Sequence, residues 1–190
     1  MIRIVLASIL GGLLMFAWGA VAHLLLPISR DALTPLPDEA PVIAALTTHV
    51  PEAGTYAFPW IGHDPEPDEA QRAEWERRLA NVPSGLLVYR PYGGDALSPR
   101  ALVTEFASNL LAAFLGALLL VQLPRGFGRR VLTVMLVGVA AWLSISVSQW
   151  NWYGFSRPFV LLELIDQAIG WLLAGIGMAL LVRPPRKRTF

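Results

Sequence analysis

The sequence predicts an all-α membrane protein, a four-transmembrane-helix bundle with a small α+β extracytoplasmic insertion between helices 1 and 2. Composition is the first reason. Of 190 residues, 55% are apolar and 15% charged, a balance that suits lipid better than a soluble domain of this length. Spacing is the second: the stretches 4–26, 101–122, 131–149 and 158–182 are mostly apolar and approach or exceed the roughly 20 residues that a spanning helix needs. The third is the sorting of charge by sign. Arg3, Arg125, Arg129, Arg130, Arg183, Arg186, Lys187 and Arg188 fall in three segments on one side of such an arrangement, and none of the 14 acidic residues joins them. Short Arg- and Lys-rich loops stay in the cytoplasm. Both termini are therefore expected inside and residues 27–100 outside, with the basic tail 183–190 against anionic lipid rather than nucleic acid.

Taken in order, span one (4–26) begins after Arg3 and contains Ala20-Val21-Ala22, which resembles a signal-peptide cleavage site. Its apolar run continues through Leu24, Leu25 and Leu26, giving about 35 Å of helix. That is longer than a signal core, and the segment reads as an uncleaved anchor. Residues 27–100 are too rich in proline and acids to cross a bilayer. Within them, Asp38 and Glu39 precede Val42, Ile43, Leu46 and Val50 at helical spacing, a short amphipathic helix ending near His49. Gly54 to Trp60 and Gly85 to Arg90 alternate and are rich in β-formers, as strands do. Asp68 to Val82 reads as a charged helix with little apolar surface. His63-Asp64 lies in a proline-rich turn. Two strands and two short helices bury little, so Tyr56, Phe58, Trp60, Trp75, Tyr89 and Tyr92 are expected either to form a small core of their own or to meet the membrane surface or a partner.

Ser98-Pro99 supplies an N-cap and first position for span two, 101–122. Span three, 131–149, is followed by an aromatic outer loop through Trp150, Trp152, Tyr153 and Phe155, which suits an interfacial belt better than a ligand-stacking platform. Span four, 158–182, opens at Pro158.

The polar residues inside the spans form stripes. Ser8, Gly12, Phe16, Gly19 and His23 recur at steps of three and four in span one, as do Glu105, Asn109, Ala112 and Gly116 in span two. Span four aligns Glu163, Asp166, Gln167, Gly170, Ala174 and Gly177, and span three aligns Ser144 and Ser148 above Thr133, Val137 and Ala141. Residues so spaced share a helix face. Small residues let membrane helices approach, and polar ones bond across the gap. By helix rise, His23, Glu105 and Glu163 lie ~5–8 Å below the outer boundary, with Asn109 and Asp166 at ~12 Å. The expected result is an outward-opening polar pocket of His23, Glu105, Asn109, Ser144, Ser148, Glu163, Asp166 and Gln167. Ionisable groups within spans cost energy on insertion and commonly mark function.

Three chemistries fit that pocket. His23, Glu105, Glu163 and Asp166 offer imidazole and carboxylate donors for a divalent metal such as zinc, manganese or magnesium, although no HExxH or ExxH spacing accompanies them. A histidine beside carboxylates also suits proton transfer. Alternatively the cluster is a hydrogen-bonded network that sets helix register. Cysteine is absent, which excludes disulfides, thiolate metal sites and cysteine nucleophiles. Nucleotide-binding, kinase, serine-hydrolase and haem motifs are absent as well. These readings together lead to a bacterial inner-membrane protein with a periplasmic loop. It is expected to act as a non-enzymatic subunit or accessory factor, with a membrane-protein partner or a second copy as its contact. The alternatives are a membrane enzyme or metal-binding protein using the pocket, and a small proton-coupled transporter working as an oligomer.

Overall fold

A computed structural model describes residues 1–26, 28–95, 97–123 and 126–182; the expected basic tail 183–190 and Arg125 lie outside these. The described chain is mostly helical. In order it forms α1 (Ile2–Ala20), continued by a π-helical turn (Val21–Leu25), then α2 (Ile28–Ala32), α3 (Glu39–His49), β1 (Gly54–Phe58), α4 (Glu69–Asn81), β2 (Gly85–Tyr89), α5 (Pro99–Gln122), α6 (Phe127–Tyr153) and α7 (Arg157–Leu181). Four of these helices are long and apolar enough to cross a membrane, at 24, 24, 27 and 25 residues with the π turn counted into the first. Only 17–28% of the residues in their most apolar windows are buried by protein. Most of that apolar surface therefore needs lipid or another apolar partner, and the chain is a multi-pass membrane protein by length and composition.

Local chemistry sets the helix ends. The Ser98 hydroxyl accepts the Ala101 N–H at 3.2 Å, with Pro99 at the first position of α5. Ser156 caps α7 in the same way through Phe159 N–H at 3.3 Å. Helix α6 extends past the apolar stretch 131–149 at both ends, because backbone hydrogen bonding does not stop where hydropathy falls. The expected outer loop consequently shrinks to Gly154–Ser156, and Trp150, Trp152 and Tyr153 are helical. Gly154, at φ 76°, follows the last residue of α6, a left-handed conformation that glycine adopts without steric cost.

By contact clustering the chain divides into two compact units. One holds residues 1–34, 95–150 and 155 onward; the other holds 35–94 with 151–154. In the first, α1 packs on α5 and α7. A Cβ at Gly12 would lie 2.9 Å from the Leu110 backbone, and one at Gly11 would lie 2.9 Å from the Met178 side chain. Gly177 receives Leu10 and Leu14 of α1, and Gly116 receives Met178. Helix α6 meets α7 where the Trp171 ring lies over Gly138 and Val134 packs on Gly175. Around these contacts Ala113, Ala117, Leu120, Val134, Ala174 and Met178 are buried.

At one end of this core lies Arg130, which is 3% exposed. Its guanidinium donates to the carbonyls of Val182 (2.9 Å), Ala179 (3.3 Å) and Leu120 (3.3 Å). These carbonyls belong to the last turns of α7 and α5, where the helix dipoles are negative; that of Leu120 also accepts the Leu123 N–H at 3.3 Å. One arginine thus ties two helix termini together.

The second unit is small. Strands β1 and β2 pair antiparallel, with Tyr56 opposite Leu87 and Thr55 opposite Val88. Helix α4 opens with a reciprocal capping box between Asp68 and Gln71, at 2.8 and 2.9 Å, and is tied to the end of β1 by the Trp75 indole N–H on the Pro59 carbonyl at 3.0 Å. Among residues 35–94 only Pro59 is buried, and neither α3 nor α4 buries a side chain.

Candidate functional site

Opposite the Arg130 end, the polar residues of α1, α5 and α7 meet. Helix α1 does not finish as a regular α-helix. Its last turn widens, with Leu26 N–H reaching the Val21 carbonyl at 2.9 Å, an i→i−5 bond. Such widened turns recur at functional positions because the extra residue re-aims the side chains around it. Here the turn contains His23, whose Nε2 lies 3.8 Å from Asp166 Oδ2. The other Asp166 oxygen, Oδ1, accepts the Trp18 indole N–H at 2.7 Å. Asp166 is therefore held between two residues of α1, with its side chain 23% exposed against 52% for His23.

The next residue of α7, Gln167, accepts through Oε1 the indole N–H of Trp171, one turn further along, at 3.1 Å. On α5, Asn109 donates to Glu105 Oε1 at 3.1 Å. Between the three helices lies a half-enclosed crevice of about 360 Å³. His23, Glu105, Asn109, Asp166 and Gln167 line it together with Trp18 and Trp171; Met15, Phe16, Leu24 and Leu102 form apolar wall. Phe16 is fixed edge-to-face against Phe106, with centroids 5.6 Å apart.

Five of the eight pocket residues expected from the sequence thus share one crevice. Glu163 lies elsewhere. It accepts the Ser146 hydroxyl at 3.3 Å and lines a second cavity of about 150 Å³ with His23, Ile28, Ala32, Phe159 and Asp166. His23 and Asp166 line both cavities. Ser144 and Ser148 do not join either one. Both are exposed, and the Ser144 hydroxyl turns back to the Ala141 carbonyl at 3.0 Å. The buried face of α6 instead carries Val131, Val134, Gly138 and Ser146, so the expected stripe through Thr133, Val137 and Ala141 is displaced. The contact between Gly138 and Trp171 orients α6 that way.

The four proposed metal ligands also separate. His23 and Asp166 are within ion-pair reach of each other, but among the described residues no group of three or more His, Asp or Glu side chains is placed to hold a metal ion. Sequence reasoning missed Trp18 and Ser146. The signal for Trp18 was its indole N–H, a donor that requires an acceptor inside an apolar span.

Compared with protein-family models, curated proteins and solved structures, the chain matches none. The geometry alone bears on function. His23, Glu105, Asn109, Asp166 and Gln167 bring polar groups to a space whose remaining walls are largely apolar.

Proposed function

We propose that this chain is a four-span bacterial inner-membrane protein with both termini in the cytoplasm and residues 27–100 in the periplasm, acting as an accessory subunit whose outer module binds another membrane protein. The observation behind this reading is the module's missing core. Tyr56, Phe58, Trp60, Val88 and Tyr92 are 37–85% exposed, and a two-stranded sheet with four of the five β1 residues exposed is marginal on its own. Large exposed apolar groups gathered in one module mark an interaction surface. Charge favours protein over lipid as the cover. Residues 35–94 carry nine carboxylates and four arginines, and an anionic lipid surface repels that excess. A photo-crosslinking residue at Tyr56 or Val88 in living cells tests this. The expected product is a discrete adduct with one protein partner; adducts to lipid alone, or none, would contradict the reading.

A second reading rests on the crevice. Its volume falls in the ~300–1,000 Å³ range of small-molecule sites, which are typically apolar with a few convergent polar groups. On this reading the protein binds, or acts on, a ligand held by His23, Glu105, Asn109 and Asp166. A metal ion fits less well, since His23 and Asp166 supply two ligating groups where structural and catalytic zinc sites use three or four.

A further inference from the structure

We propose that the crevice between α1, α5 and α7 binds an amphiphile bearing a primary ammonium group, such as an ethanolamine phospholipid entering from the leaflet on the His23 side; this rests on the reading of the crevice as a ligand site.

The argument begins with unused hydrogen-bonding capacity. Glu105 Oε1 is taken by Asn109, which leaves Oε2 without a partner among the described residues. Asp166 Oδ2 has His23 Nε2 at 3.8 Å, beyond hydrogen-bond range, and only Oδ1 is satisfied at 2.7 Å by Trp18. The Asn109 amide spends one N–H on Glu105 and keeps the other together with its carbonyl oxygen, while Gln167, whose Oε1 is taken by Trp171, keeps its NH2. The charge of the polar end comes from two carboxylates against one imidazole. A primary ammonium supplies three N–H donors and a positive charge in a compact group. A trimethylammonium has no N–H to give, and a headgroup whose only charge is a phosphate or carboxylate brings no cation to Glu105 and Asp166; in an ethanolamine phospholipid the ammonium is the terminal group and the phosphodiester stands two carbons behind it.

The apolar end defines the rest of the ligand. Met15, Phe16, Leu24 and Leu102 line the crevice, and Leu24 and Leu102 remain 59% and 41% exposed. They lie on two membrane-length helices, so a headgroup at the carboxylates leaves its chains against exposed apolar side chains. A water-soluble amine would leave that wall unused. Helix α6 contributes no lining residue.

Native mass spectrometry of the full chain in mild detergent tests this, with phosphatidylethanolamine, phosphatidylcholine and phosphatidylglycerol of identical acyl chains, and free ethanolamine, as probes. The expected result is tightest retention of phosphatidylethanolamine. Glu105→Gln and Asp166→Asn should each weaken it about tenfold, the scale of a lost charge-assisted hydrogen bond, while Ser144→Ala, outside the crevice, should not. Should Asp166→Asn fail to fold, Glu105→Gln decides, because Glu105 is exposed and its loss leaves the packing intact. Retention of phosphatidylcholine or phosphatidylglycerol equally or more tightly overturns the ammonium assignment but leaves a ligand crevice. Equal binding of ethanolamine overturns the amphiphile assignment. A folded protein that retains none of the four overturns the ligand-site reading itself.

Discussion

Arg130 shows how far a single residue's role depends on where the chain places it. In sequence it is one of several basic residues marking a side of the membrane. In the fold it is buried, with no acidic residue nearby in the chain, and its charge is balanced by three carbonyls at the ends of α5 and α7. Removing it takes away a donor that the Val182, Ala179 and Leu120 carbonyls share and opens a gap, so Arg130→Ala should lower unfolding stability in detergent by about 3 kcal/mol. Arg130→Lys should recover only part of this, because an ammonium cannot match the planar fork of a guanidinium. A thermal melt in which Arg130→Ala equals the parent would contradict that role. Burial of this kind was not legible, since residue type carries charge but not depth. The serines of α6 make the same point. Ser144 and Ser148 lie on one side of the helix and Ser146 about 200° from Ser144; periodicity pointed to the Ser144 and Ser148 face, and Ser146 on the other face was missed. Trp171 over Gly138 made the choice.

At the scale of elements, glycine positions separate close packing from open space. A Cβ at Gly12 would meet the Leu110 backbone at 2.9 Å, whereas one at Gly19 would meet nothing within 4 Å. Gly12→Ala should push α1 from α5 and cost roughly 1–3 kcal/mol, as overpacking does. Gly19→Ala should be neutral or slightly stabilising, because alanine has the better helix propensity. Opposite signs in paired thermal melts support the helix contact, and equal losses would undermine it. Much of this level was readable. Of the stripe in span one, Ser8 is buried and Gly12 does meet α5, Ser98-Pro99 does open α5, and the two strands lie close to their expected bounds. Two features were not: α2 is five residues long, too short for a periodic signal, and the widened turn at His23 lies within a run of apolar residues whose composition does not mark a change of hydrogen-bond step. Helix-by-helix reading therefore brought His23, Glu105, Asn109, Asp166 and Gln167 to one crevice but misplaced Glu163, whose partner Ser146 lies on a face that sequence could not select.

At the scale of the whole molecule, two asymmetries organise the proposal. Eight of the 15 basic residues gather in three segments that hold none of the 14 acids, which underlies the proposed orientation. The four long helices leave most of their apolar surface uncovered, while residues 35–94 have almost no interior, which underlies the proposed dependence on lipid for one part and on a partner for the other. The orientation is the premise shared by the periplasmic partner surface and the ligand entry from the outer leaflet. Because the chain has no cysteine, single cysteines report position without background. The most direct measurement is labelling of Ala53→Cys and Gly128→Cys in bacterial spheroplasts with a membrane-impermeant maleimide; both positions are exposed, and a Cβ at Gly128 meets nothing within 4 Å. The account predicts that position 53 reacts in intact spheroplasts and position 128 only after permeabilisation. Reaction of both in intact spheroplasts, or of position 128 alone, would contradict it.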